Sequence, residues 1–322
     1  MQYNEFEISV IIPTYNRGGV LNKCLEALSV QTVPSDSFEI IVSDDGSEDN
    51  TRTVTESFAR KELTRVRYLW QPNRGASAAR NQAILASKGR ILLIINDDTI
   101  ATRTMLEEHL RIHKFHPEEN FAVLGRMTIS KDIPPSMFAK VHLDASFNLL
   151  GEKTDLDWRT FYTCNVSVKK TFLLKYGLFE EKIHLLHEDL ELAERLSHNG
   201  LKIIYNPRAL GYHRHYLEEK DYLSSAKREG KSLVIWYQKA PHLKKELASI
   251  GFYLTAPLFR RFRYIVGDVL INRLTIPFLL ILARFLSDTR EPLALRLYIK
   301  IYQSLKRESI RNELFKKHWI CF

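Results

Sequence analysis

"ILLIINDDT", residues 91–99, runs five branched aliphatic side chains straight into Asn96, Asp97, Asp98 and Thr99. A short continuous apolar run bounded by turn residues reads as a strand buried on both faces. The two carboxylates at its end are ambiguous by themselves, because acidic residues also close strands as turn formers and helix N-caps. The segments upstream decide between the readings.

Working back toward the N-terminus, "VRYLW" (66–70) leads into an Ala- and Asn-rich helix over 76–87, with Gly89 placed as its C-terminal glycine. "FEIIV" (38–42) precedes a weaker helix carrying Val54 and Phe58. "ISVII" (8–12) precedes Leu21, Cys24, Leu25 and Leu28 at helical spacing. Four strand–helix alternations in the first 100 residues predict an α/β fold with a doubly wound, mostly parallel sheet. In such sheets the ligand crevice lies beyond the carboxyl ends of the strands. Every predicted strand ends in a polar segment, "PTYNR" (13–17), "SDDGSEDN" (43–50), "QPNRG" (71–75) and "NDDT" (96–99), so all four are expected on one rim.

Downstream, the spacing predicts a helix over about 102–114, with Thr104 and Glu107 placed as a capping box. Residues 125–160 read as long loops of the kind found over active sites. Order returns with a strand "YTCNVSV" (162–168), a helix ending at Gly177, a helix from Glu188 to Asn199-Gly200, and a strand "LKIIY" (201–205). The expected organisation is a catalytic domain over 1–215, with a nucleotide-sugar half to about residue 100 and an acceptor half over 101–215. Residues 216–322 form a helical, basic region. Within it, 256–286 interleaves Arg260, Arg261, Arg263, Arg273 and Arg284 with leucine, isoleucine and phenylalanine. One reading is a helical subdomain whose arginines face water; the other is a surface lying on an anionic leaflet.

The 322 residues carry 45% hydrophobic and 26% charged side chains, an ordinary globular composition. Cys24, Cys164 and Cys321 show no disulfide or zinc spacing, which favours the cytosol. No signal peptide or membrane-length apolar run is recognised. The net charge of +9 raises nucleic acid and anionic membranes as partners. No zinc-finger, RNA-binding or helix-turn-helix signal accompanies it, so nucleic acid is not expected. The expected location is cytoplasmic, with peripheral attachment at the inner face of the cell membrane.

Two carboxylate pairs, Asp44-Asp45 and Asp97-Asp98, on one rim repel each other unless a hard cation or a hydrogen-bond donor sits between them. Mg²⁺ or Mn²⁺ held by one or two carboxylates and by substrate phosphates is the usual arrangement for diphosphate chemistry.

"SVIIPTYNR", "IIVSDDGSEDNT", "NRGASAARN", "INDDT", "CNVSVKK" and "HEDLELAERL" occur in the order and approximate spacing of glycosyltransferase family 2, which has the GT-A fold. The resemblance covers residues 8 to 215. It implies an inverting transferase that uses a nucleotide-diphosphate sugar, most often a UDP-sugar, with guanosine and thymidine open. By resemblance, Pro13, Thr14 and Tyr15 lie along the base and ribose, Asp45 hydrogen-bonds the base, and Asp44 is structural. Asn73, Gly75 and Arg80 resemble positions near the nucleotide. Asp97 matches the ribose-side acid, and Asp98 the metal-binding acid. Asp189 matches the general base, with Glu188 positioning the acceptor. His213, or next His215, matches a histidine that binds the metal or diphosphate.

The sequence departs from the family pattern at Asn96, where a third acid often stands. That departure keeps a non-catalytic nucleotide-sugar binder or scaffold open as an alternative. Nucleotidyltransferases share the fold but resemble a glycine-rich loop with a lysine, which "PTYNRGGVL" lacks. Trp158, Phe161 and Tyr162 could stack on a sugar ring, although aromatic residues before a strand more often join the core. The acceptor implied is a glycan or a lipid-linked molecule.

Overall fold

The computed structural model describes residues 6–61, 65–134, 136–140, 145–151, 155–183, 186–249 and 252–316. Cys321 and parts of the 125–160 segment lie outside the described residues. The chain forms two compact units, one of Met1–Pro135, Lys140–His184 and Glu188–Tyr216, the other of Ser136–Ala139, Leu185–His187 and Leu217–Phe322.

The first unit is built on β1 (Phe6–Thr14), β2 (Phe38–Asp44), β3 (Arg65–Trp70), β4 (Gly89–Ile95), β5 (Thr99–Ala101), β6 (Phe121–Ile129), β7 (Asp155–Leu156), β8 (Asn165–Lys169) and β9 (Lys202–His213). They join one sheet in the order β3-β2-β1-β4-β8-β6-β9-β5, with β7 on β9. β3, β2, β1 and β4 are parallel, and β8 joins β4 antiparallel. β6 runs antiparallel to β8 and parallel to β9. The helices of this unit are α1 (Gly18–Leu28), α2 (Thr51–Arg60), α3 (Ala76–Ala86), α4 (Met105–Phe115), α6 (Ala145–Asn148), α7 (Lys170–Tyr176) and α8 (Glu188–Ser197); α5 (Met137–Ala139) belongs to the second unit.

The apolar strands explain the two-sided core. Successive side chains of a strand point to opposite faces. Ile8, Val10 and Ile12 accordingly pack with Leu21, Cys24, Leu25 and Leu28 of α1. Ile11, Ile41, Leu92 and Ile94 join the other layer with Ala83, Ile84 and Leu192. Burying each such side chain is worth about 1.5–3 kcal/mol. Register then lines up the strand ends: Thr14 stands opposite Asp44, and Asp44 opposite Trp70. The rim predicted from "PTYNR", "SDDG" and "QPNRG" is therefore a real edge of the sheet.

Four local expectations are corrected. α3 ends at Ala86, and Gly89 opens β4, where an added Cβ would sit 2.6 Å from the Ser9 backbone nitrogen. Thr104 occupies the N-cap of α4 but makes no side-chain cap bond, and the Glu107 carboxylate accepts from Thr32 Oγ1 at 2.6 Å instead. Residues 125–129 continue β6, because Gly125 allows Asn165 and the Ala209 carbonyl to come close. β9 runs on to His213 past Pro207: register slips at Gly125/Arg126, so that residues 207–209 bulge out while Asn206 Oδ1 accepts from the Arg208 amide.

In the second unit, α9 (Glu219–Lys239) packs with α13 (Glu291–Lys316), accompanied by α10 (Lys244–Ser249), α11 (Leu258–Leu270) and α12 (Ile276–Thr289). Phe138, Tyr222, Ala226, Ala283, Tyr298 and Tyr302 form its core. Glu229 is buried there and accepts from His187 Nε2 at 3.1 Å, Lys306 Nζ at 3.1 Å and the Tyr302 hydroxyl at 2.8 Å. Burial alone would raise the Glu229 carboxyl, but these donors hold it at about 2. Among the described residues, no helix is long and apolar enough to cross a membrane.

Candidate active site

Asp97 and Asp98 occupy the tight turn between β4 and β5, closed by a 3.2 Å bond from the Thr99 amide to the Asn96 carbonyl. Both carboxylates are buried. The cation between them is Arg17, from the end of "PTYNR": Nη1 lies 2.9 Å from Asp97 Oδ1, and Nη2 lies 2.9 Å from Asp98 Oδ2. Thr14 donates to Asp97 Oδ2 at 2.8 Å. Burial pushes the Asp97 carboxyl up to about 6, against the pull of Arg17 and with Asp98 adding to the rise. Burial would raise Asp98 as well, but His213 and Arg17 outweigh it and hold this acid below the usual range. Two adjacent carboxylates thus have opposite electrostatic settings.

His213 arrives from the end of β9, where it pairs with Thr99 of β5. Its Nε2 stands 3.5 Å from Asp98 Oδ2, and the His215 ring packs edge-on at 5.9 Å. Among the described residues, Asp98 Oδ1 and His213 Nδ1 are both buried without a hydrogen-bond partner. His213 Nε2 faces the Asp98 carboxylate, and an imidazole nitrogen beside a carboxylate with an unpartnered oxygen fits a divalent cation that takes its other ligands from phosphate and water. Among the described residues, however, no three His, Cys, Asp or Glu side chains form a ready-made metal group.

The second acidic pair is divided differently. Asp44 Oδ1 accepts from the Ser47 amide at 2.8 Å and its Oδ2 from the Tyr68 hydroxyl at 2.6 Å, which ties it to the fold. Asp45 Oδ1 accepts from Gln71 Nε2 at 2.7 Å and the Arg74 amide at 2.9 Å, and Oδ2 from the Gly75 amide at 2.8 Å. Asp45 therefore shapes the 71–75 loop and keeps spare acceptor capacity on Oδ2. Gly75 takes φ 94°, ψ 160°, a region essentially restricted to glycine. Asn73 is exposed on this loop, Pro13 is half-buried in β1, and Tyr15 is exposed beside it.

Arg80, on α3, is buried, and its Nη1 donates to Glu188 Oε1 at 2.7 Å. Glu188 and Asp189 form the first turn of α8, where carboxylates meet the positive end of the helix dipole. Asp189 is half-buried. Its charge reaches Tyr162 and Cys164, whose ionisation burial already pushes up, Cys164 to about 12. Cys164 also feels Asp98, so both acids lie within electrostatic reach of this thiol. Phe161 is fully buried and Tyr162 packs edge-on against Phe147, which places both in the core layer rather than in an open stacking position.

Sequence reasoning passed over Arg17, although the predicted repulsion between the rim acids called for a donor and "PTYNR" ends in one. It also had no signal for the Arg80–Glu188 pair, which joins residues 108 apart in the chain.

A family model described as glycosyl transferase family 2 matches residues 9–180. Validoxylamine A glucosyltransferase of Streptomyces hygroscopicus subsp. jinggangensis is 27% identical over 237 residues, covering 63% of this chain and 54% of that protein. The chain thus spans about half the length of that relative. Among solved structures, S. aureus TarS 1–349 in complex with UDP superposes with a TM-score of 0.55 at 18% identity, over 97% of this chain and 92% of that one. Mannosyltransferase PcManGT from Pyrobaculum calidifontis, in complex with GDP-Man and Mn²⁺, gives a TM-score of 0.63 at 20% identity, over 94% and 86%. At these identities the structural likeness establishes the fold.

Proposed function

This chain belongs to glycosyl transferase family 2, and from that premise we propose that it is a metal-dependent, inverting glycosyltransferase. Its donor is a nucleotide-diphosphate sugar, a UDP-sugar first, and its acceptor a hydroxyl of a glycan or lipid-linked molecule. The observation that carries this reading is the pair of acidic stations near Cys164. Asp98, with His213 beside it, and Asp189 both act on that thiol.

Pro13, Thr14, Tyr15, Asn73, Gly75 and Asp97 line the strand-end rim on which the nucleoside would lie, and Asp45 holds the 71–75 loop in shape for it. Asp98 and His213 would hold Mg²⁺ or Mn²⁺, which supplies Lewis-acid stabilisation of the departing diphosphate. Asp189 takes the proton of the attacking hydroxyl as the new bond forms at the anomeric carbon. The bond to the diphosphate oxygen breaks, and the nucleoside diphosphate leaves with its electron pair. Attack from the side opposite the leaving group inverts the centre. A positioned base of this kind contributes about 10²–10⁴-fold. Glu188, fixed by Arg80, orients the acceptor.

The test is a screen of nucleotide sugars by thermal shift with Mn²⁺, followed by turnover of the stabilising donor with and without EDTA. The reading expects turnover that EDTA and Asp98→Asn both suppress. A donor that binds but is never turned over, with any glycan acceptor or water, would instead identify a nucleotide-sugar binder.

A further inference from the structure

The helices α11 and α12 are amphipathic in the reverse sense for a soluble helical unit. On α11, Leu258, Phe262, Ile265 and Val269 follow each other at i+4, i+7 and i+11, with Phe259 and Val266 beside them, and all are exposed. At 100° per residue they cover about 120° of the helix circumference. The polar group of this helix faces inward: Asp268 Oδ1 accepts from Arg307 Nε at 2.9 Å, and Asp268 Oδ2 from Arg311 Nη1 at 2.6 Å. α12 repeats the arrangement. Phe278 (74% exposed), Ile281, Leu282 and Phe285 point out at i, i+3, i+4 and i+7, opposite buried Ala283. Leu274, between the helices, is 82% exposed.

Charge identifies what covers this face. The same helical geometry sets Arg261 and Arg263 on the two borders of the α11 stripe, with Arg260 next to Arg263. None of the three takes part in an ion pair among the described residues. A second copy of the chain docked through a two-fold interface would gather two sets of these unpaired arginines at one interface with no acid to meet them on the stripe, where like charges cost binding. An anionic bilayer accepts both parts at once, the phenylalanines below the headgroups and the guanidinium groups among lipid phosphates.

We propose that the α11–α12 face is a docking surface for an anionic lipid bilayer, in which Phe259, Phe262 and Phe278 insert at the headgroup boundary while Arg261 and Arg263 pair with lipid phosphates. Two docked helices give reversible, interfacial attachment. The inference does not depend on which sugar is transferred, or on transfer at all.

Co-sedimentation of the full chain with vesicles tests it, comparing phosphatidylcholine alone with phosphatidylcholine carrying phosphatidylglycerol. Binding is expected on the anionic vesicles and should weaken as salt rises from about 0.1 M to about 1 M. Phe259→Ser with Phe262→Ser should lower the partition coefficient at least about tenfold. Arg261→Gln with Arg263→Gln should lower it by about fivefold per arginine, and only on anionic vesicles. Phe259, Phe262 and Arg263 are exposed and Arg261 half-buried, so the melting temperature should hold; a variant that melts early is replaced by Phe278→Ser, which reads the exposed side of the other helix. Absence of vesicle binding by the intact chain, or binding that neither pair of substitutions alters, overturns the proposal. So does a dimer, seen by light scattering, that the Phe pair dissolves without any vesicle binding.

Discussion

Replacing Arg17 by Gln removes the cation that holds Asp97 and Asp98 side by side. The guanidinium contacts both acids at 2.9 Å, its side chain is 32% exposed, and the two carboxylates are 5% and 4% exposed. Removing one partner of a fully buried pair costs about 3–5 kcal/mol. Solvent around Arg17 screens part of this, which brings the expected loss to about 2–3 kcal/mol near pH 8. That corresponds to a fall in melting temperature of about 5–10 °C for a unit of this size. The loss should shrink on acidification. Asp97 already titrates at about 6 with Arg17 beside it, and higher still without it. A carboxyl whose pKa rises on folding costs stability above that value and regains it as the pH falls through it. At pH 5 Asp97 carries a proton in both proteins, the repulsion with Asp98 is gone, and the gap should be less than half its value at pH 8. Thermal melts followed by circular dichroism at the two pH values measure this. An equal loss at both would refute the role given to Arg17 as the charge that makes the acidic turn tolerable.

Gly75→Ala forces a side chain into a backbone region that costs about 1–3 kcal/mol and disturbs the amide that Asp45 accepts. Nucleotide affinity, read by titration calorimetry, should fall more steeply than melting temperature; unchanged affinity would place the nucleotide elsewhere. Glu229, held at about 2, contributes stability above its ordinary range that is lost as the pH falls from about 4.5 toward 2, up to about 3 kcal/mol. Glu229→Gln should be less stable at pH 7 and lose less on acidification, and an unaltered acid midpoint would contradict the account. Asn96→Asp adds the acid that the family often carries, so a Mn²⁺ titration should show tighter binding; no change would mean that residue 96 does not face the cation.

The parallel half of the fold was legible because its strands are buried on both faces, so "ISVII", "FEIIV" and "ILLII" carry the burial directly. The rim followed from it, since parallel strands that all end in polar residues must present them together. Legibility failed where tertiary contacts override local signals. Gly125 reads as a loop but is a strand residue made necessary by Asn165 and Ala209, and Pro207 hides the second half of β9 by sitting in its bulge. Inside the site, residue types were readable while partnerships were not. Arg17, Arg80 and Asp45 each spend their hydrogen bonds on other site residues or on the 71–75 loop, and such pairings span 26 to 108 positions of sequence. The outward apolar face of α11 and α12 was visible only as an alternation of arginine and aliphatic residues, because sequence periodicity reports that a helix has two faces and not which one the protein buries.

The central claim is that Asp189 takes a proton from the acceptor while the strand-end rim holds the donor. Asp189→Asn keeps the size of the side chain and removes its basicity, so one paired measurement on this variant is decisive: the donor dissociation constant and the rate of sugar transfer on the same preparation. The account predicts donor affinity within a few-fold of the parent and transfer slower by about 10²–10⁴-fold. Transfer at a near-normal rate would remove Asp189 as the base, and a loss of donor binding equal to the loss of rate would move it from proton transfer to the donor site.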